Sequence, residues 1–243
     1  MSLGDATGRI HSVETFGALD GPGTRYVLFL QGCPLRCAYC HNPDTWDVDG
    51  KTVKTAAQVV EDILRYSHFI AGGGVTLSGG EPLLQADFCR EVIELCHQHG
   101  LHCAIDTSGA LPLTRCQTAV NAADLLLLDI KALDPQVCHA LTGMDNRNAL
   151  ALLNYCELIG KMVWIRHVLV PGVTLLPDRL EALADFLAGY SCVTRVELLP
   201  FHKMGEYKWE AMHLKSPLAS TKAPNEDEVA MAKKIFLAKG LPL

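Results

Sequence analysis

Apolar residues along this chain fall into two alternating rhythms. Short unbroken runs read as strands buried on both faces: "TRYVLFLQG" (24–32), "GVTLSGG" (74–80), "HCAIDTSG" (102–109), "DLLLLDIK" (124–131), "MVWIRHVLVPG" (162–172) and "VTRVELLPF" (193–201). Between them apolar positions recur at helical spacing over 55–70, 85–100, near 112–121, 134–141, 146–159 and 177–188. A last amphipathic helix is expected over 226–240. Thr55 is placed to cap the first helix, and Gly100 to close the second in the left-handed conformation. Continuous apolar strands alternating with helices predict an α/β fold, a parallel sheet covered by helices. Six βα units are two short of a closed eight-fold barrel. A partial, splayed barrel or an open doubly wound sheet fits that count. No repeat, low-complexity tract or linker divides the 243 residues. A single domain is expected, with a core over about 8–202 and a C-terminal loop and helix over 203–243.

Polar residues gather where these strands end. Cys33 follows the first, Ser78 to Glu81 the second, and Asp106 with Thr107 the third. Asp129 and Lys131 end the fourth, Arg166 and His167 lie in the fifth, and His202 follows the sixth. Parallel α/β folds carry their active sites at the carboxyl ends of the strands, so six strands point to one mouth.

Composition narrows the function classes. The net charge of −6 argues against a broad basic face for nucleic acid. The start, "MSLGDATGRIHSVE", lacks the basic and apolar regions of a signal peptide. The run "ADLLLLDI" at 123–130 is too short to cross a bilayer, so no membrane association is expected. Ten cysteines with no secretory signal read as reduced thiols of a cytoplasmic protein. Seven of them, Cys89, Cys96, Cys103, Cys116, Cys138, Cys156 and Cys192, scatter through apolar segments and read as packed thiols.

The other three cluster. Cys33, Cys37 and Cys40 share "QGCPLRCAYCHNP" (31–43), and no fourth cysteine follows until Cys89. Structural zinc and ordinary iron–sulfur clusters take four protein ligands. A zinc site would need His41 or a distant residue as the fourth ligand, and zinc ligands usually come as two close pairs. A [4Fe–4S] cluster on three thiolates leaves one iron open to the amino and carboxylate groups of S-adenosylmethionine, a radical source.

The gaps in "CPLRCAYC", with Tyr39 before the last cysteine, resemble the CxxxCxxC motif of the radical S-adenosylmethionine superfamily. The wider "DGPGTRYVLFLQGCPLRCAYCHN" is similar to the signature of activating enzymes for glycyl-radical enzymes, at Gly21, Gly23, Arg25, Phe29, Gly32, the three cysteines and Asn42. "GGGVTLSGGEPLLQ", "DTSG", "LLLLDIK", "VWIRHVLVPG" and "LLPFHKMGEYKWEAM" follow in the family's order, so the resemblance covers about residues 8–240.

That resemblance implies a partial (β/α)6 barrel of the radical SAM type. It also implies catalysis through a [4Fe–4S] cluster on Cys33, Cys37 and Cys40, and S-adenosylmethionine between Tyr39, Cys40, His41, Gly80, Asp129, Ile130, Lys131 and His202. Asp106, Thr107 and Asp129 are an alternative set for a monovalent cation beside the methionine carboxylate. The implied protein substrate is a glycyl-radical enzyme, pyruvate formate-lyase first among them, and the implied electron donor is a flavodoxin or ferredoxin. Asp20, Arg25, Arg166 and Trp209 would then wall the entry of a glycine loop.

Plainer readings stand beside these. Gly79 and Gly80 also suit a strand-to-helix turn, Glu81 a helix cap, Trp209 the core and Arg166 a salt bridge. The 38 residues between Cys40 and Gly79 hold no cysteine, so a single cluster is expected. Two rival functions remain at this stage: a radical enzyme acting on another glycyl-radical enzyme or a small substrate, and a zinc-binding interaction module.

Overall fold

The computed structural model describes residues 2–49 and 52–243. Its strands are β1 (Thr7–Gly17), β2 (Arg25–Leu30), β3 (Thr52–Thr55), β4 (Gly74–Gly79), β5 (Cys103–Thr107), β6 (Leu125–Asp129), β7 (Val163–Leu169) and β8 (Val193–Pro200). They hydrogen-bond in the order β3-β1-β2-β4-β5-β6-β7-β8. β2 and β4 pair in parallel from Arg25 opposite Gly74 to Leu30 opposite Gly79; β4 and β5, and β7 and β8, are also parallel. From β2 onward each strand is added on the same side of the one before. That is the winding of a β/α barrel, whereas a doubly wound sheet reverses its strand order. The six βα units read from the sequence are β2, β4, β5, β6, β7 and β8, which makes the fold class a partial (β/α)6 barrel.

Two strands were not legible. β1 runs antiparallel to both β2 and β3, and its burial alternates only over its first residues. β3 is four residues long and half-exposed.

The chain divides into two compact units, one holding residues up to Pro34 with Thr45–Leu127, the other Leu35–Asp44 with Leu128–Leu243. The first unit carries α1 (Ala56–Leu64), α2 (Ser67–Ile70), α3 (Ala86–Gln98) and α4 (Gln117–Ala122). Thr55 caps α1 in a reciprocal box: its hydroxyl accepts from Gln58 N at 3.2 Å, and Gln58 Oε1 accepts from Thr55 N at 2.9 Å. The single helix expected over 55–70 is broken at Tyr66. Ile70 is buried while Phe69 stays exposed and meets Phe16 edge-on. α3 buries Phe88, Cys89, Val92, Ile93 and Cys96.

The second unit carries α5 (Pro135–Thr142), α6 (Arg147–Ile159), α7 (Pro177–Leu187), α8 (Glu206–Ala211) and α9 (Glu226–Ala238). Asp134 caps α5, and Asn225 with Glu228 forms a second capping box at α9. α9 buries Ala232 and Phe236 and packs on α7 and β8, so the C-terminal helix belongs to this unit's core. None of the ten cysteines forms a disulfide, and the seven scattered ones are all buried. Among the described residues no helix is long and apolar enough to cross a membrane.

Candidate functional site

In the first unit the site begins where β2 ends. Gly32 N donates to Thr45 O at 2.7 Å and Cys33 N to Trp46 O at 3.3 Å, which turns the chain out of the strand. β4 ends beside it: Gly80 N donates to Leu30 O at 2.9 Å and Glu81 N to Gly32 O at 2.8 Å. A Cβ on Gly80 would fall 2.2 Å from Gly32 O and 3.2 Å from Cys33 Cβ, so only glycine lets the two strand ends approach this closely. Cys33 and Gly80, read separately from the sequence, are thus neighbours.

The structure gives Glu81 a larger part than capping. Its fully buried carboxylate does accept from Leu83 N at 3.0 Å. It also accepts from Thr107 Oγ1 at 2.7 Å, from Ser108 N at 2.9 Å and from the Ser108 hydroxyl. Burial raises its pKa against these four hydrogen bonds, which lower it. The Thr107 hydroxyl donates to Glu81 and accepts from Gly109 N, so it is already engaged within the protein. Asp106 accepts from Ser78 Oγ at 2.9 Å.

Arg25 does not face a partner as expected. Its side chain is 0% exposed. Nε donates to Thr76 Oγ1 at 2.9 Å, Nη1 to Pro22 O at 3.3 Å and Nη2 to Val75 O. Burial lowers its pKa to about 10, which keeps it cationic at neutral pH. Thr76 Oγ1 in turn donates to Asp20 O at 2.6 Å. Arg25 thus fastens the 20–24 turn from inside and has no surface to offer a partner; Asp20 remains partly exposed.

The second unit holds the other expected cluster and cofactor residues. The cysteine loop is held to the end of α5, Arg36 N donating to Thr142 O at 2.7 Å and Ala38 N to Leu141 O at 2.8 Å. Cys40 N donates to Cys37 O at 3.0 Å, which folds the CxxC segment into a turn. α8 grips the same loop. Trp209 Nε1 donates to Cys40 O at 2.8 Å, and Lys208 Nζ reaches Asn42 Oδ1 at 2.8 Å and Asp44 Oδ2 at 3.0 Å. The His41 and His202 rings stack at 4.2 Å, with His41 Nε2 lying 3.2 Å from His202 O.

Lys131 Nζ forms a salt bridge to Asp129 Oδ2 at 2.6 Å and lies 5.6 Å from the centre of the Tyr39 ring. Burial lowers the Lys131 pKa, but Asp129 and its other neighbours outweigh that and raise it well above the ordinary value. Ile130, between the pair, is buried and held on both sides, its N donating to Arg166 O at 3.0 Å and its O lying 2.7 Å from His167 Nδ1. Tyr39, Cys40, His41, Asp129, Ile130, Lys131 and His202 all fall in this unit. Arg166 and Trp209 follow the plainer readings: Arg166 is buried with Nε on Glu197 Oε2 at 2.9 Å, and Trp209 is 6% exposed. Lys208 was missed because nothing in its local sequence separates it from an ordinary surface lysine.

Three thiols within eight residues, each on a backbone fixed by hydrogen bonds, suit a cluster with three thiolate ligands. Beside them Tyr39 Oη is buried with no hydrogen-bond partner, a polar atom that a bound cofactor or water would satisfy.

Residues 27–187 match the family described as the radical SAM superfamily. The pyruvate formate-lyase-activating enzyme of Listeria monocytogenes is 42% identical over 240 residues, covering 96% of this chain and 97% of the relative. The pyruvate formate-lyase 1-activating enzyme of Escherichia coli K12 is 38% identical over 235 residues, covering 94% and 95%. Among solved structures, a domain of the pyruvate-formate lyase-activating enzyme from Bacteroides vulgatus superposes with a TM-score of 0.59 at 26% identity, covering 70% of this chain and 97% of that one. The chain belongs to the radical SAM superfamily, and within it to the family of pyruvate formate-lyase-activating enzymes. That family implies a [4Fe–4S] cluster and S-adenosylmethionine, and it sets aside the zinc-binding module.

Proposed function

We propose that this protein activates pyruvate formate-lyase by installing a glycyl radical in it. The carrying observation is near full-length similarity to enzymes named for that activity, together with the Cys33, Cys37 and Cys40 triplet. Those three thiolates would hold a single [4Fe–4S] cluster. A cluster held there would supply one-electron reduction of S-adenosylmethionine, the radical chemistry needed to take a hydrogen atom from the partner's glycine.

The chain's own residues bind and orient. Lys131, fixed by Asp129 against the Tyr39 face, is a cation suited to the methionine carboxylate. Gly80, beside Cys33, would meet the amino group, and Ile130, His41 and His202 the adenosyl portion. A monovalent cation would be held by Asp106 and Asp129 through side chains and by Thr107 through its carbonyl. Cys40 is set by Trp209, so Trp209 is a positioning residue in this reading. The electron would come from a reduced flavodoxin or ferredoxin, and the setting would be the cytoplasm.

The test is anaerobic. Protein reconstituted with iron and sulfide is mixed with pyruvate formate-lyase, S-adenosylmethionine and a chemical reductant. A glycyl-radical signal by electron paramagnetic resonance, with 5′-deoxyadenosine formed alongside, is the expected result. If 5′-deoxyadenosine forms without a radical on pyruvate formate-lyase, the protein substrate is a different one.

A further inference from the structure

Where β5 and β6 begin, three side chains of different chemistry converge within the first unit. His97 stands in the last turn of α3, Cys103 opens β5 and Asp124 directly precedes β6. An imidazole nitrogen, the Cys103 sulfur and an Asp124 carboxylate oxygen all lie within 4.8 Å of one another. None of the three has a part in the cluster, cofactor or partner readings above. β4 and β5 run parallel, so the start of β5 is at the opposite end of the sheet from Gly80.

Local structure brings the three together. Gly100 closes α3 in the left-handed conformation, φ 70°, with its N–H donating to His97 O at 2.9 Å. The chain reverses there and enters β5 at Cys103. Cys103 and Asp124 then clasp the two strand starts: Cys103 N donates to Asp124 Oδ2 at 2.6 Å, and Asp124 N to Cys103 O at 2.9 Å. His97 Nε2 lies 2.9 Å from the same Oδ2. A carboxylate oxygen only accepts, so in this arrangement Nε2 carries the hydrogen.

Imidazole, thiolate and carboxylate are the ligand types that zinc takes, and three protein ligands leave its fourth position to water. The sulfur turns the preference away from magnesium and calcium. Tetrahedral bonds of about 2.0 Å set the nitrogen and oxygen about 3.3 Å apart, so the present 2.9 Å contact need open only slightly. His97 and Asp124 are each 36% exposed, which gives an ion a way in and the imidazole room to turn. The Cys103 N–H already orients the carboxylate, the kind of outer contact that metal ligands carry. One thiolate and one carboxylate cancel a dication, so the buried Arg25, whose charge both residues feel, would meet a neutral site.

We propose that His97, Cys103 and Asp124 form a second metal site, separate from the cysteine triplet, that takes zinc. Each side chain gives one bond to the ion. The Cys103 thiol releases its proton to solvent, the imidazole hydrogen passes from Nε2 to Nδ1, and no electron moves.

The test uses cluster-loaded protein, in which zinc and iron are read apart at their own X-ray absorption edges. One equivalent of zinc is added anaerobically, and loose ion is removed by gel filtration. The zinc shell should hold one sulfur at about 2.3 Å and nitrogen and oxygen at about 2.0 Å, with iron content unchanged. His97→Ala, a change at an exposed position, should weaken zinc binding in chelator competition by tenfold at least, since even outer contacts are worth about 10- to 100-fold. Cys103→Ser should remove the sulfur from the shell. A sulfur count other than one in the parent, an affinity in His97→Ala equal to the parent's, a shell that keeps its sulfur in Cys103→Ser, or no zinc retained would each overturn the proposal. A count of three would place the ion on the cluster cysteines instead.

Discussion

The indole nitrogen of Trp209 donates to the carbonyl oxygen of Cys40 across 2.8 Å, so a residue of α8 fixes the backbone of a candidate cluster ligand 169 positions earlier in the chain. Trp209→Phe keeps most of the apolar contact and removes the donor. The carbonyl then loses a hydrogen bond worth about 0.5–1.5 kcal/mol. The expected outcome is a cluster that is loaded and then lost faster. The check is iron retained after gel filtration and the decay of the cluster's visible absorbance under a chelator. Retention equal to the parent would remove Trp209 from the positioning role.

Serine at Cys33, Cys37 or Cys40 should abolish S-adenosylmethionine cleavage and lower bound iron. Alanine at Cys89, Cys96 or Cys156 should leave iron content at the parental level, since these residues are fully buried and lie outside the cysteine loop. Each loses a small amount of packing, with a stability cost of about 1 kcal/mol. Iron and sulfide assays on the anaerobically purified variants decide this. A folded variant outside the triplet that cannot hold its cluster would point to a fourth thiolate.

Asp129 and Lys131 form a mostly buried pair, and removing one partner strands the other. Asp129→Ala should destabilise the fold by about 3–5 kcal/mol, the usual cost of an uncompensated buried charge. It should also weaken S-adenosylmethionine binding by about tenfold or more. Asp129→Asn, which keeps one acceptor oxygen for the ammonium, should recover part of the stability. Thermal melts and equilibrium dialysis with the cofactor separate the two effects. Unchanged cofactor affinity in both variants would leave Asp129 with a structural role alone.

His167 gives the pH dependence. Its folded pKa, near 4, lies below the ordinary 6.5, so between these values the unfolded chain binds the extra proton. The contribution of the neutral ring is complete above pH 6.5 and falls away as pH drops toward 4. The full loss is about 3 kcal/mol for a shift of this size. Urea titrations at pH 7 and pH 4.5 should show the parent losing more stability than His167→Phe over that interval. Parallel losses would mean that the ring protonates without cost.

The strands that carry the site were legible because they are buried on both faces. Leu125 to Leu128 on β6 and Val75 to Leu77 on β4 face no solvent, so their residue types admit little else. β1 was hidden because residues such as Ser12, Val13 and Glu14 are exposed, which blurs the two-residue alternation. α8 was hidden because a six-residue helix burying only Trp209 leaves no periodicity to read.

The site residues divide in the same way. Cys33, Cys37 and Cys40 declared themselves by spacing, and Gly80 by standing where a parallel strand ends. Arg25 was misread because a lone arginine in an apolar strand looks like a binding group. Its actual partner, Thr76, is 51 positions away, and only the fold reveals it. Glu81 was read as a cap for the same reason: Thr107 and Ser108 are remote in sequence.

α8 is too short to persist on its own, since isolated helices below about 12 residues are marginal in water. What keeps it folded includes its two grips on the cysteine loop, Trp209 on Cys40 and Lys208 on Asn42 and Asp44. Loop order and helix order are in this sense one equilibrium, and thermodynamic linkage makes the influence reciprocal. Whatever quiets the loop from within also quiets the outer side of α8, where Tyr207 is 65% exposed, with Met204 just before the helix at 78%. Whatever docks on that outer side must, to the same extent in free energy, be felt at Cys40.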